Sequence, residues 1–298
     1  MNLPAEFIKN VHFYFEEGAI WLEHLPEALK DFEETWNLEL LPHFPNLTIN
    51  YVAPARLADG SEVVFKFGPP SDELASEMRA LQVWNGAGAV RLLKADFSRG
   101  VMLLEKLEPG KSFWFYKDDV LAATTCANLL LKLWSKKTDL SAFRSLESWT
   151  GELANYAASY TVSSSPIPYH FIDKAMQLRK ELLQESDVVL LHGDLHHDNM
   201  LSSEREPFLA IDPKGVAGPR GYDIGSFFLN PENPEVQNDW KRLTKQRLEI
   251  FSEILGFSKD YLASWAYIHC VLSTCWSFDD GEFPQTPLDV ASELEAYL

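Results

Sequence analysis

The sequence predicts an α+β fold in two lobes: a small β-rich N-lobe over residues 1–107 and a larger, mostly helical C-lobe over residues 108–298. Three observations lead there. Short β-rich runs parted by turn signals occupy residues 48–104. Helical periodicity dominates from Lys117 onwards. A stretch at 190–212 breaks that periodicity with an apolar run, a polar knot and two further apolar segments. The 298 residues, 46% hydrophobic and 23% charged, suffice for two lobes around a cleft.

Composition removes several function classes. No apolar run approaches eighteen residues, so no transmembrane helix is expected. The opening Met-Asn-Leu-Pro-Ala-Glu lacks the basic-then-apolar order of a signal peptide, which points to the cytoplasm. Cys126, Cys270 and Cys275 lack metal spacing and read as core residues of a reducing compartment. The net charge of −18 argues against nucleic acid, whose binding needs clustered Lys and Arg. It is compatible with a cationic small-molecule substrate, and equally with solubility alone. A monomer or weak homodimer is expected.

Residues 1–40 read as helical. Leu25, Leu29, Phe32 and Trp36 recur at helical spacing, and Pro26 suits a helix first turn. Thr48–Arg56 and Glu62–Phe67 read as strands, and Asp59-Gly60 between them is a hairpin signal. Lys66 is a lone cation on the second strand, readable as one more exposed-face residue. Ser71-Asp72-Glu73 opens a helix on which Leu74, Glu77, Leu81 and Trp84 share a face. Glu77 in an apolar stripe needs a partner, because an unpaired buried carboxylate costs several kcal/mol. Lys66 is the nearest in sequence, and a strand Lys held by a helix Glu and offered to ATP phosphates is the kinase arrangement.

Val90–Leu93 and Val101–Leu104 form a second expected hairpin, closed by Ser98-Arg99-Gly100. Pro109-Gly110 then ends the strand, which makes Glu105-Lys106-Leu107 the linker between lobes, whose backbone would bind adenine. A plain surface turn is the alternative. A Gly-rich phosphate loop is faint, since residues 48–64 contain only Gly60. Beyond Lys117, helices are expected from Asp118 to about Lys137, over 146–160 and 171–184, and over 239–255, 259–278 and 287–297.

Within 190–212 the reading is strand, loop, strand, turn, strand. The loop His192-Gly193-Asp194-Leu195-His196-His197-Asp198-Asn199 carries Asp194 and, five residues on, Asn199; Asp212 ends the last strand. Phosphoryl transfer from ATP needs a carboxylate to take the hydroxyl proton, and an amide and a carboxylate to hold Mg²⁺. The protein-kinase catalytic loop has the same order and spacing. Asp and Asn are also ordinary loop formers. A zinc site from His192, His196, His197 and Asp198 is the other alternative; Gly193 and Asp194 make the helix it would need unlikely, and no Cys is near. His192 reads as structural. Pro213 to Asp223 reads as a Gly- and Pro-rich loop, with Asp223 a simple helix N-cap. Glu232 and Glu235 lie in an acidic loop after these strands, and Trp276, Asp279 and Asp280 form an acidic-aromatic patch; both are candidate contacts for a cationic substrate.

Together these residues resemble the aminoglycoside phosphotransferase superfamily. Within it they are most similar to the aminoglycoside/hydroxyurea antibiotic resistance kinases, which include streptomycin 6-phosphotransferases. The resemblance runs from about Trp21 to near residue 290. It is carried by Val63-Val64-Phe65-Lys66, the helix from Glu77 to Trp84, Gly86 to Leu93, Leu103 to Gly110, the His-Gly-Asp loop, and Ile211-Asp212-Pro213-Lys214-Gly215. It implies a two-lobed protein-kinase-like fold with the active site in the cleft, ATP and Mg²⁺ as cofactors, and O-phosphorylation of a small molecule. Asp194 is implied as the base, Asn199 and Asp212 as Mg²⁺ ligands, Lys66 as the grip on the α/β-phosphates and Glu77 as its holder. The superfamily also phosphorylates choline, homoserine and sugars, so a metabolite kinase is the alternative. A nucleotide-binding pseudokinase is disfavoured because all four of Asp194, Asn199, Asp212 and Lys66 are present.

Overall fold

The computed structural model describes residues 2–231, 239–279, 281 and 283–298, without the side chain of Asp279. It divides into two compact units. One comprises the chain up to Gly86 together with Val90–Glu108; the other comprises Ala87–Ala89 and Pro109–Leu298.

In the first unit, α1 (Ala5–Tyr14) and α2 (Gly18–Trp36) precede β1 (Leu38–Leu40), β2 (Tyr51–Leu57) and β3 (Glu62–Phe67). Then come α3 (Asp72–Trp84), β4 (Leu92–Asp96) and β5 (Val101–Glu105). The five strands form one antiparallel sheet in the order β1-β2-β3-β5-β4. Strand alternation divides its faces. Phe65 and Phe67 join Phe7, Val11, Leu25, Leu29 and Phe32 of the first two helices in one aromatic core. Lys66, between them in sequence, reaches Glu77 on α3 instead.

Two expectations about this unit are corrected. Residues 38–40 are a strand, begun after Asn37 ends α2 in the left-handed conformation (φ 51°). Pro26 lies inside α2 rather than in a first turn. It is tolerated because it faces solvent, where the carbonyl one turn back can bond to water.

The second unit begins with β6 (Pro109–Ser112), so Pro109-Gly110 opens a strand instead of only ending one. It continues with α4 (Asp119–Trp134), β7 (Arg144–Ser145), α5 (Leu146–Trp149), α6 (Gly151–Ser159), α7 (Tyr169–Leu182) and β8 (Val188–Leu191). Then follow β9 (Met200–Ser203), β10 (Phe208–Ala210), β11 (Val216–Pro219), α8 (Gly225–Leu229), α9 (Trp240–Leu255), α10 (Lys259–Asp279) and α11 (Thr286–Leu294). Asp118 caps α4 by accepting from the Leu121 amide at 3.0 Å. The inner face of α4, with Ala122, Cys126, Leu129 and Leu133, is buried. In α10, Leu262, Trp265, Tyr267, Ile268 and Leu272 are all fully enclosed, and α6, α7, α8, α9 and α11 pack against it.

Two small sheets, β10-β9-β6 and β7-β11-β8, hold the loops that matter here. Strand β11 falls where a loop was expected. Val216 to Pro219 pair antiparallel with Leu191 to Val188, and Gly218 is required because a Cβ there would sit 2.6 Å from that of Leu146. Among the described residues no helix is long and apolar enough to cross a membrane.

Candidate active site

In the first unit Lys66 Nζ lies 2.8 Å from both carboxylate oxygens of Glu77. The two side chains are 5% and 7% exposed, so this is a buried pair on a strand and a helix. Ser71 caps α3 through the Leu74 amide, which sets the helix register that turns Glu77 inward. Of the residues expected to link the lobes, which fall inside the first unit, Glu105 ends β5 and its N–H is bonded to the Arg91 carbonyl at 3.0 Å. Lys106 is ion-paired with Glu62 (2.7 Å) and Glu108 (2.6 Å), and Leu107 is half-buried. The β1–β2 connection, residues 41–50, has two prolines and no glycine. Gly60 (φ 84°) serves the β2–β3 turn, where Asp59 Oδ1 accepts from the Ser61 amide at 2.9 Å.

In the second unit, Asp194, Asn199 and Asp212 are knitted together by two neighbours. His192, fully buried at the end of β8, accepts the Asp194 N–H on Nδ1 (3.2 Å) and donates from Nε2 to the Ile211 carbonyl (2.9 Å). These bonds fix one neutral tautomer. Burial drives the His192 pKa down to about 3, so the ring stays neutral at physiological pH. Ile211 in turn donates its N–H to the Asn199 carbonyl at 3.0 Å. The loop bearing Asp194 and Asn199 is thus tied to the segment bearing Asp212.

Asn199 Nδ2 donates to the Asp194 carbonyl (2.8 Å) and faces His196 Nε2 at 3.2 Å. With both amide hydrogens directed at protein, Oδ1 is the atom left for a cation. Asp212 is exposed and adopts φ 56°, a conformation a non-glycine residue rarely takes and one that clusters at functional sites. Gly193 (φ 82°) makes the turn before Asp194, with Lys214 closing over it: a Cβ at Gly193 would meet that of Lys214 at 3.1 Å.

Asp223 is not an N-cap, which corrects the expectation. It is 1% exposed, caps nothing, and accepts from Gly193 N (2.6 Å), His192 N (3.0 Å) and Trp134 Nε1 (2.9 Å). Burial raises its pKa to about 6 against these hydrogen bonds. It holds the backbone immediately before Asp194. Its one sequence signal is a carboxylate at the entry to an otherwise apolar run, Ile224 to Phe228.

His197, in the 3₁₀ turn His197–Asn199, is 3% exposed and stacked on Phe227 with ring centroids 4.4 Å apart. Trp276 packs edge-on against Trp149 (5.6 Å) and His269 (6.1 Å), and both Trp149 and His269 lie 3.0–3.1 Å from the Tyr222 hydroxyl. Phe278 packs against Tyr156 and Tyr160. Glu232, Glu235 and Asp280 lie outside the described residues, as does the side chain of Asp279.

Among solved structures, the choline kinase LicA from Streptococcus pneumoniae aligns with a TM-score of 0.64 at 15% identity, covering 92% of this chain and 98% of that one. The fold is therefore the protein-kinase-like one, and the family model and the two relatives that follow put the chain in the class of small-molecule kinases. The model of the aminoglycoside/hydroxyurea antibiotic resistance kinases matches residues 45–281. The chain is 30% identical over 277 residues to streptomycin 6-kinase of Streptomyces glaucescens, covering 92% of this chain and 90% of that protein. It is 31% identical over 302 aligned positions to hydroxyurea phosphotransferase of Kitasatospora aureofaciens, covering 99% and 86%. The chain belongs to the aminoglycoside/hydroxyurea antibiotic resistance kinase family, and as a kinase it draws its phosphoryl group from ATP.

Proposed function

We propose that this protein is a Mg²⁺-dependent O-phosphotransferase that moves the γ-phosphoryl group of ATP to a hydroxyl of a small cationic acceptor, an aminocyclitol of the streptomycin type. The observation that carries the reading is the Ile211–Asn199 hydrogen bond at 3.0 Å. With His192 it ties together the backbone segments that carry Asp194, Asn199 and Asp212, the three residue types that phosphoryl transfer calls for. The donor set fits the metal: an amide oxygen and a carboxylate are hard oxygen ligands of the kind Mg²⁺ takes along with substrate phosphates.

In this reading Asp194 orients the acceptor hydroxyl and takes its proton as the bond to phosphorus forms. Asn199 and Asp212 would hold the metal, which when bound would supply positive charge against the charge that develops in phosphoryl transfer. Lys66 grips the α/β-phosphates, and Glu77 keeps its ammonium extended toward them. The backbone of Glu105, Lys106 and Leu107 receives the adenine, with the Glu105 N–H already committed to Arg91. The net charge of −18 favours a cationic guest by raising its local concentration. Trp276, in its aromatic cluster, with Asp279, Asp280, Glu232 and Glu235, supplies candidate contacts to that guest. The names of the two curated relatives support an aminocyclitol or hydroxyurea acceptor over a general metabolite.

The test is ATP consumption with Mg²⁺ against streptomycin, other aminoglycosides, hydroxyurea, choline and small sugars, with the product's phosphorylation site read by NMR. Turnover confined to an aminocyclitol is the expected result. Turnover confined to choline or a sugar would replace the acceptor and keep the chemistry. The protein is expected to act in the cytoplasm as a monomer or weak homodimer; sedimentation across a concentration series checks the latter.

A further inference from the structure

The ion pair beneath the catalytic loop has a geometry that bulk stability does not require. Arg247, on α9, is fully buried. Its Nε lies 3.1 Å from each carboxylate oxygen of Asp119, the first residue of α4. Its Nη1 donates to the carbonyls of Phe227 (2.9 Å) and Phe228 (3.1 Å), and its Nη2 to Asp119 Oδ1 (2.5 Å) and the Asn230 carbonyl (2.7 Å). The guanidinium carbon also stands 4.9 Å from the centre of the Phe227 ring. One side chain thus fixes the start of α4 and the end of α8 at once.

Two of the four residues that Arg247 holds, Asp119 and Phe227, lie against His197. The imidazole stacks on the Phe227 ring at 25°, and its Nε2 lies 3.6 Å from Asp119 Oδ1. His197 opens the single 3₁₀ turn that Asn199 ends. A displacement of Asp119 or Phe227 is therefore passed through His197 to Asn199 within two residues. A lysine could not replace this arrangement, since three donors on one nitrogen cannot reach a carboxylate and three carbonyls together. Buried ion pairs commonly add little to stability over apolar packing of the same volume. A positional role accounts for keeping this one.

We propose that Arg247 is a positioning residue for the phosphotransfer site: by holding Asp119 and Phe227 it seats His197 and so fixes the turn from which Asn199 presents its amide oxygen to Mg²⁺. The proposal rests on the assignment of Asn199 as a metal ligand. Residues that orient metal ligands typically matter 10–100-fold in metal affinity.

The experiment measures binding of AMP-PNP to the full-length protein with and without Mg²⁺, alongside thermal unfolding. The variant is Asp119→Asn with Arg247→Met, which removes both charges and leaves none buried alone. The expected result is metal-free AMP-PNP affinity within about twofold of the parent, and an Mg²⁺-dependent gain in affinity reduced at least ~10-fold. A lowered melting temperature with the full Mg²⁺ gain would make the pair merely structural and overturn the proposal. Should the double variant not fold, Phe227→Leu keeps the ion pair and removes the stacking face; an unchanged Mg²⁺ gain there overturns the proposal equally. Absence of AMP-PNP binding to the parent protein would instead remove the kinase reading, and this inference with it.

Discussion

Replacing Asp223 with Asn separates its role in positioning from its role in stability. The carboxylate accepts three N–H groups, and an amide offers one oxygen in place of two. If that oxygen keeps Trp134 and His192, the amide nitrogen faces the Gly193 N–H across a former 2.6 Å contact. Leaving that donor unsatisfied costs about 1–3 kcal/mol. Removing the buried charge offsets this. The Asp223 pKa stands at about 6 when folded against 3.8 for an ordinary aspartate in the unfolded chain. Between those two pH values the folded protein holds a proton that the unfolded chain has released. Stability from this group is therefore greatest below pH 3.8 and falls as pH rises to about 6, by about 3 kcal/mol in all. At pH 7 the variant should unfold within about 2 kcal/mol of the parent, the difference of these two terms. Turnover is another matter. Gly193 is displaced, Asp194 is the next residue, and a misplacement near 1 Å costs about 10²-fold in rate. Urea unfolding from pH 4 to 7 and steady-state ATP consumption read the two effects. The stability difference between parent and variant should change by about 3 kcal/mol across that range, in the variant's favour as pH rises. A pH-independent difference, or turnover within twofold of the parent, would refute the reasoning.

Two further outcomes follow from the buried pair and the exposed carboxylate. Glu77→Gln breaks a charge pair whose members are 5% and 7% exposed; it should lower unfolding free energy by about 3 kcal/mol and raise the KM for ATP, as measured by urea unfolding and initial rates. Asp212→Ala, at an exposed position, should leave stability within about 1 kcal/mol and abolish the Mg²⁺-dependent gain in nucleotide affinity, read by calorimetry with and without the metal.

What could be read from the chain was what depended on short-range spacing. The Asp194–Asn199–Asp212 order stood out because the three residues lie within nineteen positions in a strand-and-loop pattern. Glu77 stood out because a carboxylate breaks the apolar stripe Leu74, Leu81, Trp84. Residues whose partners are distant in sequence gave no such sign. Asp223 reads as a cap until its bonds to positions 31 and 89 residues away are seen. Arg247 sits in Lys241-Arg242-Leu243-Thr244-Lys245-Gln246-Arg247, a basic run with nothing that marks this one cation as buried, and its partner Asp119 lies 128 residues upstream. Strand β11 was hidden because Gly218-Pro219 signals a loop, whereas packing against Leu146 demands the glycine and Pro219 stands at the strand's end. Strand β1, three residues long, has too little pattern to separate it from the helix before it.

The central claim is that Asp194 acts on the acceptor hydroxyl, and the most direct measurement compares Asp194→Ala with the parent protein for Mg²⁺-dependent ATP consumption and for nucleotide binding. Turnover should fall at least ~10²-fold while nucleotide affinity stays within about twofold, the signature of a lost general base. Undiminished turnover in the variant would contradict the claim.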